Sequence, residues 1–109
     1  MHELGITRNI VAIVSDHAGE ARVRRVALQI GALSAVMPDA IRFCFDICAK
    51  DTVLEGATLE IEEVAGRGRC KDCGREFALD KPFGQCTCGC RQIDCIAGEE
   101  MTIKEMETV

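Results

Sequence analysis

Apolar residues recur along the start of the chain at helical spacing. Between residues 4 and 18, Ile6, Ile10, Ile13, Val14 and His17 fall three or four apart on one face of an amphipathic helix, and Gly19 supplies its stop. The period then drops to two. Across residues 23–30, Val26, Leu28 and Ile30 alternate with Arg25, Ala27 and Gln29, which is the pattern of a half-buried strand ended by Gly31. Pro38 stands where the first turn of a helix tolerates proline. From Asp39 to about Ala49, the residues Ala40, Ile41, Cys44, Phe45 and Cys48 share one helical face. Residues 57–63 alternate again, with Ala57, Leu59 and Ile61 inward. A third strand is expected over 101–108, built on Met101 and Ile103, with Met106 out of step.

This order predicts an α+β fold: a small sheet of about three strands with two helices, plus an inserted zinc-ribbon-like domain. The strand–helix–strand unit implies a right-handed crossover, which makes the first two strands parallel neighbours and puts both helices on one sheet face. A stretch lacking either period interrupts the frame. It begins near Gly66-Arg67-Gly68 and ends near Gly98, glycines that read as hinges. The expected division is residues 1–65 with 99–109 as one domain, and 66–98 as the insert.

Cysteine usage decides what the insert is. Eight cysteines occur in 109 residues, and six of them fall between positions 70 and 95. Close pairing of this kind fits metal ligation better than long-range disulfides. Cys70-Lys71-Asp72-Cys73-Gly74 is a C-x-x-C-G knuckle, whose turn can aim backbone N–H groups at two thiolates while the glycine allows a left-handed conformation. The second knuckle must come from Cys86, Cys88 and Cys90. Cys86 with Cys88 is favoured, because Gly89 then follows the pair as Gly74 follows the first; Cys88 with Cys90 remains the alternative. Four thiolates leave no open coordination position, so the zinc is structural rather than catalytic. Cys44 and Cys48 on the helix face, and Cys95 between apolar neighbours, read as small buried hydrophobes. His17 reads as a core or rim histidine. Glu60, Glu62 and Glu63 read as a solvated strand face.

Composition narrows the partners. Acidic residues outnumber basic ones 18 to 13, a balance that does not favour nucleic acid. No apolar run approaches the roughly 18 residues that span a bilayer. Met1-His2-Glu3 has neither the basic nor the apolar region of a secretory signal, so a cytoplasmic protein without a membrane partner is expected. The cysteines alone also fit two rival functions: a zinc-ribbon module that contacts protein or nucleic acid, and an iron–tetrathiolate electron carrier.

The N-terminus offers a second metal site. The Met1 amine, the His2 backbone amide and the His2 imidazole can close fused chelate rings, with the Glu3 amide or carboxylate as a further donor. Such nitrogen-rich square-planar ligation suits Ni(II) or Cu(II). Asp39 joins this region only if the second helix starts beside it.

The opening Met1-His2-Glu3-Leu4, Ile30-Gly31 followed by Leu33-Ser34, and Phe43-x-Phe45-Asp46 form one part of a wider pattern. Glu55-Gly56-Ala57, Cys70-x-x-Cys73 and Gly98-Glu99-Glu100-Met101 leading into Ile103-Lys104-Glu105-Met106-Glu107 complete it. Together they resemble the HypA/HybF family of nickel-insertion accessory proteins for [NiFe] hydrogenase, over essentially the whole chain. The resemblance implies a nickel metallochaperone, not an enzyme, that holds Ni(II) through His2 with help from Glu3. It implies a separate zinc domain, and handover with an accessory GTPase to the hydrogenase large subunit, with urease as a further client. A homodimer is also among the expected assemblies. The family's second knuckle often reads C-x-x-C; here Gln85 stands where its first cysteine would be, and Cys86 is the nearest replacement.

Overall fold

The computed structural model describes residues 2–109. Helix α1 spans Glu3–Ala18, β1 Val23–Gly31, α2 Pro38–Ala49 and β2 Thr58–Val64. Three short strands follow, β3 Arg67–Cys70, β4 Glu76–Ala78 and β5 Ile93–Ala97, before β6 at Met101–Thr108. The strands form two three-stranded sheets, ordered β2-β1-β6 and β4-β3-β5. The molecule is elongated, 54 × 22 × 17 Å.

The main sheet follows the expected logic. β1 pairs parallel with β2 and antiparallel with β6. Val26, Leu28 and Ile30 turn to one face, where Ile6, Ile10, Val11 and Val14 of α1 and Ile41, Phe45 and Ala49 of α2 close over them in a single core. Fully burying one such side chain contributes about 1.5–3 kcal/mol, so this cluster is the main source of stability. The other face is polar. Arg25 sits at its centre, with Nη1 on Glu60 and Nη2 bonded to Glu105 at 3.0 Å and Glu107 at 2.8 Å.

Met106 is out of step for a reason visible only in the pairing. Leu28 faces Ile103 while Ala27 faces Glu105, so Lys104 is an extra residue in β6. This β-bulge resets the alternation and returns Met106, opposite Val26, to the core side. A second irregularity at Arg24 likewise turns Val23 inward.

Three sequence expectations are corrected. Ile13 is 48% exposed and His17 is also exposed, because the stripe that α1 buries, Ile6, Thr7, Ile10, Val11 and Val14, is rotated away from them. Cys44, Cys48 and Cys95 are half-buried rather than buried, and Ile96 points to solvent, as alternation in β5 requires. The glycines flanking the insert are not free hinges. A Cβ on Gly31 would lie 2.0 Å from the Gly98 carbonyl oxygen, and one on Gly98 would lie 2.6 Å from the Gly66 Cα. These glycines permit backbone-to-backbone contact where the insert joins the main sheet. Leu33 caps the junction, and its N–H bonds the Gly98 carbonyl at 2.7 Å.

Candidate metal centres

The second sheet has little apolar material of its own. The buried side chains in and around it are Cys70, Leu79 and Cys86. Two of those three are thiols, so the cluster they belong to organises this part of the chain. The Sγ atoms of Cys70, Cys73, Cys86 and Cys88 all lie within 4.8 Å of one another. Cys70 and Cys88 are 3.6 Å apart, and Cys73 and Cys86 are 3.5 Å apart. A tetrahedral zinc with bonds of about 2.3 Å separates its sulfurs by about 3.8 Å, so the donor set fits that ion.

The two knuckles are built alike from local backbone bonds. In the first, Gly74 N–H bonds the Cys70 carbonyl at 3.0 Å and Cys70 N–H bonds the Arg75 carbonyl at 2.9 Å. In the second, Gly89 N–H bonds the Cys86 carbonyl and Cys86 N–H bonds the Cys90 carbonyl, both at 2.9 Å. Gly74 and Gly89 both have positive φ, 75° and 96°. The second turn is therefore a one-residue-shorter version of the first. Cys90 closes that turn with its carbonyl, while its Sγ accepts the Gln92 N–H at 3.3 Å, away from the other sulfurs.

Proton sharing among the four thiols is uneven. Backbone N–H groups, chiefly that of Cys73, pull the Cys70 thiol down to about 6. The Cys88 N–H likewise lowers Cys86. At Cys88 the Cys90 N–H acts downward, but hydrogen bonds to Cys86 and Cys70 outweigh it and push the thiol up to about 12. A metal ion entering this cluster must displace the protons that Cys73 and Cys88 hold, so its affinity falls with pH.

The N-terminal residues sit at the start of α1. His2 is its N-cap, exposed, with φ −80° and ψ 127°, and its carbonyl accepts the Ile6 N–H at 3.2 Å. The imidazole lies in a shallow concavity with Gly5, Ile6, Arg8 and Asn9. Met1, whose amine belongs to the expected chelate, lies outside the described residues. Glu3 opens the helix, and its Oε2 accepts the Met37 N–H at 3.3 Å. Its own N–H and then that of Met37 hold the carboxylate below the usual range. Met37 is the N-cap of α2, so the two helix starts are tied together. Sequence reasoning missed this contact, because nothing local links residue 3 to residue 37. Asp39 lies two residues further on, 95% exposed and paired with Arg42 at 2.7 Å.

The family model described as "Hydrogenase/urease nickel incorporation, metallochaperone, hypA" matches residues 1–108. The chain belongs to the HypA family. Its relatives include the hydrogenase maturation factor HypA of Nostoc punctiforme, 68% identical over 107 residues, which cover 98% of this chain and 95% of that protein. A solution structure of a HypA protein superimposes with a TM-score of 0.72 at 28% identity, covering 100% of this chain and 97% of that one. The solution structure of the nickel metallochaperone HypA from Helicobacter pylori shares the fold, with a TM-score of 0.70 at 24% identity and 100% and 98% coverage. As a HypA family member, the chain is a nickel metallochaperone of hydrogenase maturation, and its four-cysteine cluster has the donors and spacing of a structural zinc site.

Proposed function

We propose that this chain takes Ni(II) at its N-terminus through His2 and Glu3 and delivers it, with an accessory GTPase, to the hydrogenase large subunit in the cytoplasm, with urease as a further client. Residues 1–65 with 99–109 form the nickel-binding unit. Residues 66–98 form a unit held by one structural zinc on Cys70, Cys73, Cys86 and Cys88. The protein is a carrier rather than a catalyst.

The observation that carries the nickel site is the exposed imidazole of His2 at the N-cap of α1, next to a carboxylate held in its charged form. The first N–H groups of a helix have no partner in the helical ladder, so these amides are available to metal once deprotonated. A cation there faces the positive end of the helix dipole. Deprotonated amides and the Glu3 carboxylate offset that repulsion. Because the amides and imidazole must both lose protons, nickel affinity falls as pH falls. No helix of the described residues is long and apolar enough to cross a membrane, in keeping with delivery between dissolved partners.

Titrating Ni(II) into wild type and His2→Ala, with zinc content measured in parallel, tests this assignment. The variant is expected to lose nickel binding and keep about one zinc per chain, since the tetrathiolate site is separate. Equally tight nickel binding by the variant would remove His2 from the site.

A further inference from the structure

Helix α2 carries more apolar surface than its packing uses. On an ideal wheel, Phe43, Ile47, Ala40, Cys44, Cys48, Ile41, Phe45 and Ala49 fill about 240° of its circumference, against the roughly 100° stripe that packing on one core requires. Ile41, Phe45 and Ala49 are buried against the main sheet and α1. The outer flank is bare, with Phe43 72% exposed and Ile47 57%, and the N-cap residue Met37, 65% exposed, adds apolar surface beside the start of the helix. Such a ridge is costly to leave in water unless something covers it.

We propose that this outer flank of α2 is the ridge on which the nickel-receiving protein docks, meeting it with an apolar groove beside its own metal-accepting site. The proposal rests on nickel being held at the N-terminus. Position supports it, because α2 starts at Met37, whose N–H bonds the Glu3 carboxylate, so the helix that carries the ridge begins against the proposed nickel donors. Size supports it too. Three side chains of this kind offer roughly 300–400 Å², well short of the roughly 800 Å² per partner of a stable dimer. That area suits a transient encounter, which a delivery step needs, better than a permanent second copy. The charges bordering the flank are Asp39, Arg42, Asp46 and Lys50, two of each sign, so no excess charge selects a polyanion or an acidic membrane surface. A helix presenting Phe43 and Ile47 one turn apart is the form that an apolar groove recognises.

The test uses full-length zinc-loaded protein as wild type, Phe43→Asp, Ile47→Asp and Phe43→Leu, with purified nickel-free hydrogenase large subunit as the recipient. Complex formation is measured without nickel, and nickel delivery is measured separately to the large subunit and to EDTA. Both aspartate variants are expected to keep the helical circular dichroism, zinc content and nickel affinity of wild type, and to release nickel to EDTA at the same rate. Their binding and delivery to the large subunit should fall about tenfold or more, as expected when a central apolar anchor is lost, while Phe43→Leu stays near wild type. Undiminished binding by the aspartate variants overturns the proposal. So does a dimeric wild type that Phe43→Asp makes monomeric, because a second copy then covers the ridge. Loss of binding to the accessory GTPase alone would assign the ridge to that partner and also refute the proposal. His2→Ala separates the two ideas: if it binds nickel normally, the nickel assignment fails, whereas the nickel-free binding result stands for the ridge by itself.

Discussion

Gly31→Ala is the sharpest probe of how the two sheets are joined. The new Cβ would lie 2.0 Å from the Gly98 carbonyl oxygen, 2.1 Å from its carbonyl carbon and 2.6 Å from the Glu99 nitrogen. All three are backbone atoms, so no rotamer change relieves the overlap. Restoring a contact of about 3.5 Å means parting the two backbones by roughly 1.5 Å. Two hydrogen bonds span that gap, Gly31 N–H to the Glu100 carbonyl and Leu33 N–H to the Gly98 carbonyl, both 2.7 Å. Both would be stretched beyond hydrogen-bonding range. Overpacking costs about 1–3 kcal/mol, and each lost bond costs about 0.5–1.5 kcal/mol. The total is about 2–6 kcal/mol, a large share of the roughly 5–15 kcal/mol that holds a domain folded. A loss near 3 kcal/mol would lower Tm by roughly 12–24 °C in a domain of this size. Urea and thermal unfolding of zinc-loaded protein, followed by far-ultraviolet circular dichroism, measures it. Gly5→Ala is the matched control: a Cβ there meets nothing within 4 Å. In the first turn of α1 that change should stabilise by up to roughly 0.5–1 kcal/mol. A Gly31→Ala protein within about 0.5 kcal/mol of wild type, the range of an ordinary surface change, would refute close contact at the junction.

Two further outcomes are expected. The Arg25 guanidinium, then that of Arg24, holds the Glu107 carboxyl below its usual 4.5, and Gln29 and then Lys104 do the same at Glu62. A lowered folded-state value stabilises above the unfolded value and loses that contribution as pH falls through the folded one. Arg25→Gln should therefore be less stable near neutrality and show a shallower acid-side loss, read from urea midpoints between about pH 7 and pH 3; parallel profiles for the two proteins would count against the network. Cys90→Ser should retain about one zinc per chain and Cys88→Ser should not; the reverse result would mean that the second knuckle is misassigned.

The legible parts of this protein were those whose cause lies within a few residues. The helix at Glu3–Ala18 and the strands at Val23–Gly31 and Thr58–Val64 follow from local periodicity and stop signals. In the sequence Gly89 alone favours pairing Cys86 with Cys88, and in the fold the backbone turn at Gly89 sets those two sulfurs beside Cys70 and Cys73. Met106 was legible only as a break in pattern. Its explanation, the extra residue at Lys104, exists only once β6 is paired with β1.

By itself, then, the sequence determined the two helices and three strands of the main sheet, the first knuckle and, through its motifs, the HypA family; β3, β4 and β5 and the arrangement of the second knuckle emerged only in the fold. Tertiary structure decided the rest. Gly66 and Gly98 looked like hinges and Gly31 like a strand end, because glycine is permissive in isolation; folded together, they are the places where three backbone segments come too close for any side chain. Glu3 looked like a nickel donor alone, and the fold also makes it the tie between the starts of α1 and α2. Phe43 stood in the sequence only as part of a family motif, and packing left it bare. Periodicity records which residues avoid water, but close approach, shared carboxylates and uncovered faces depend on partners distant in the chain, which only the assembled fold supplies.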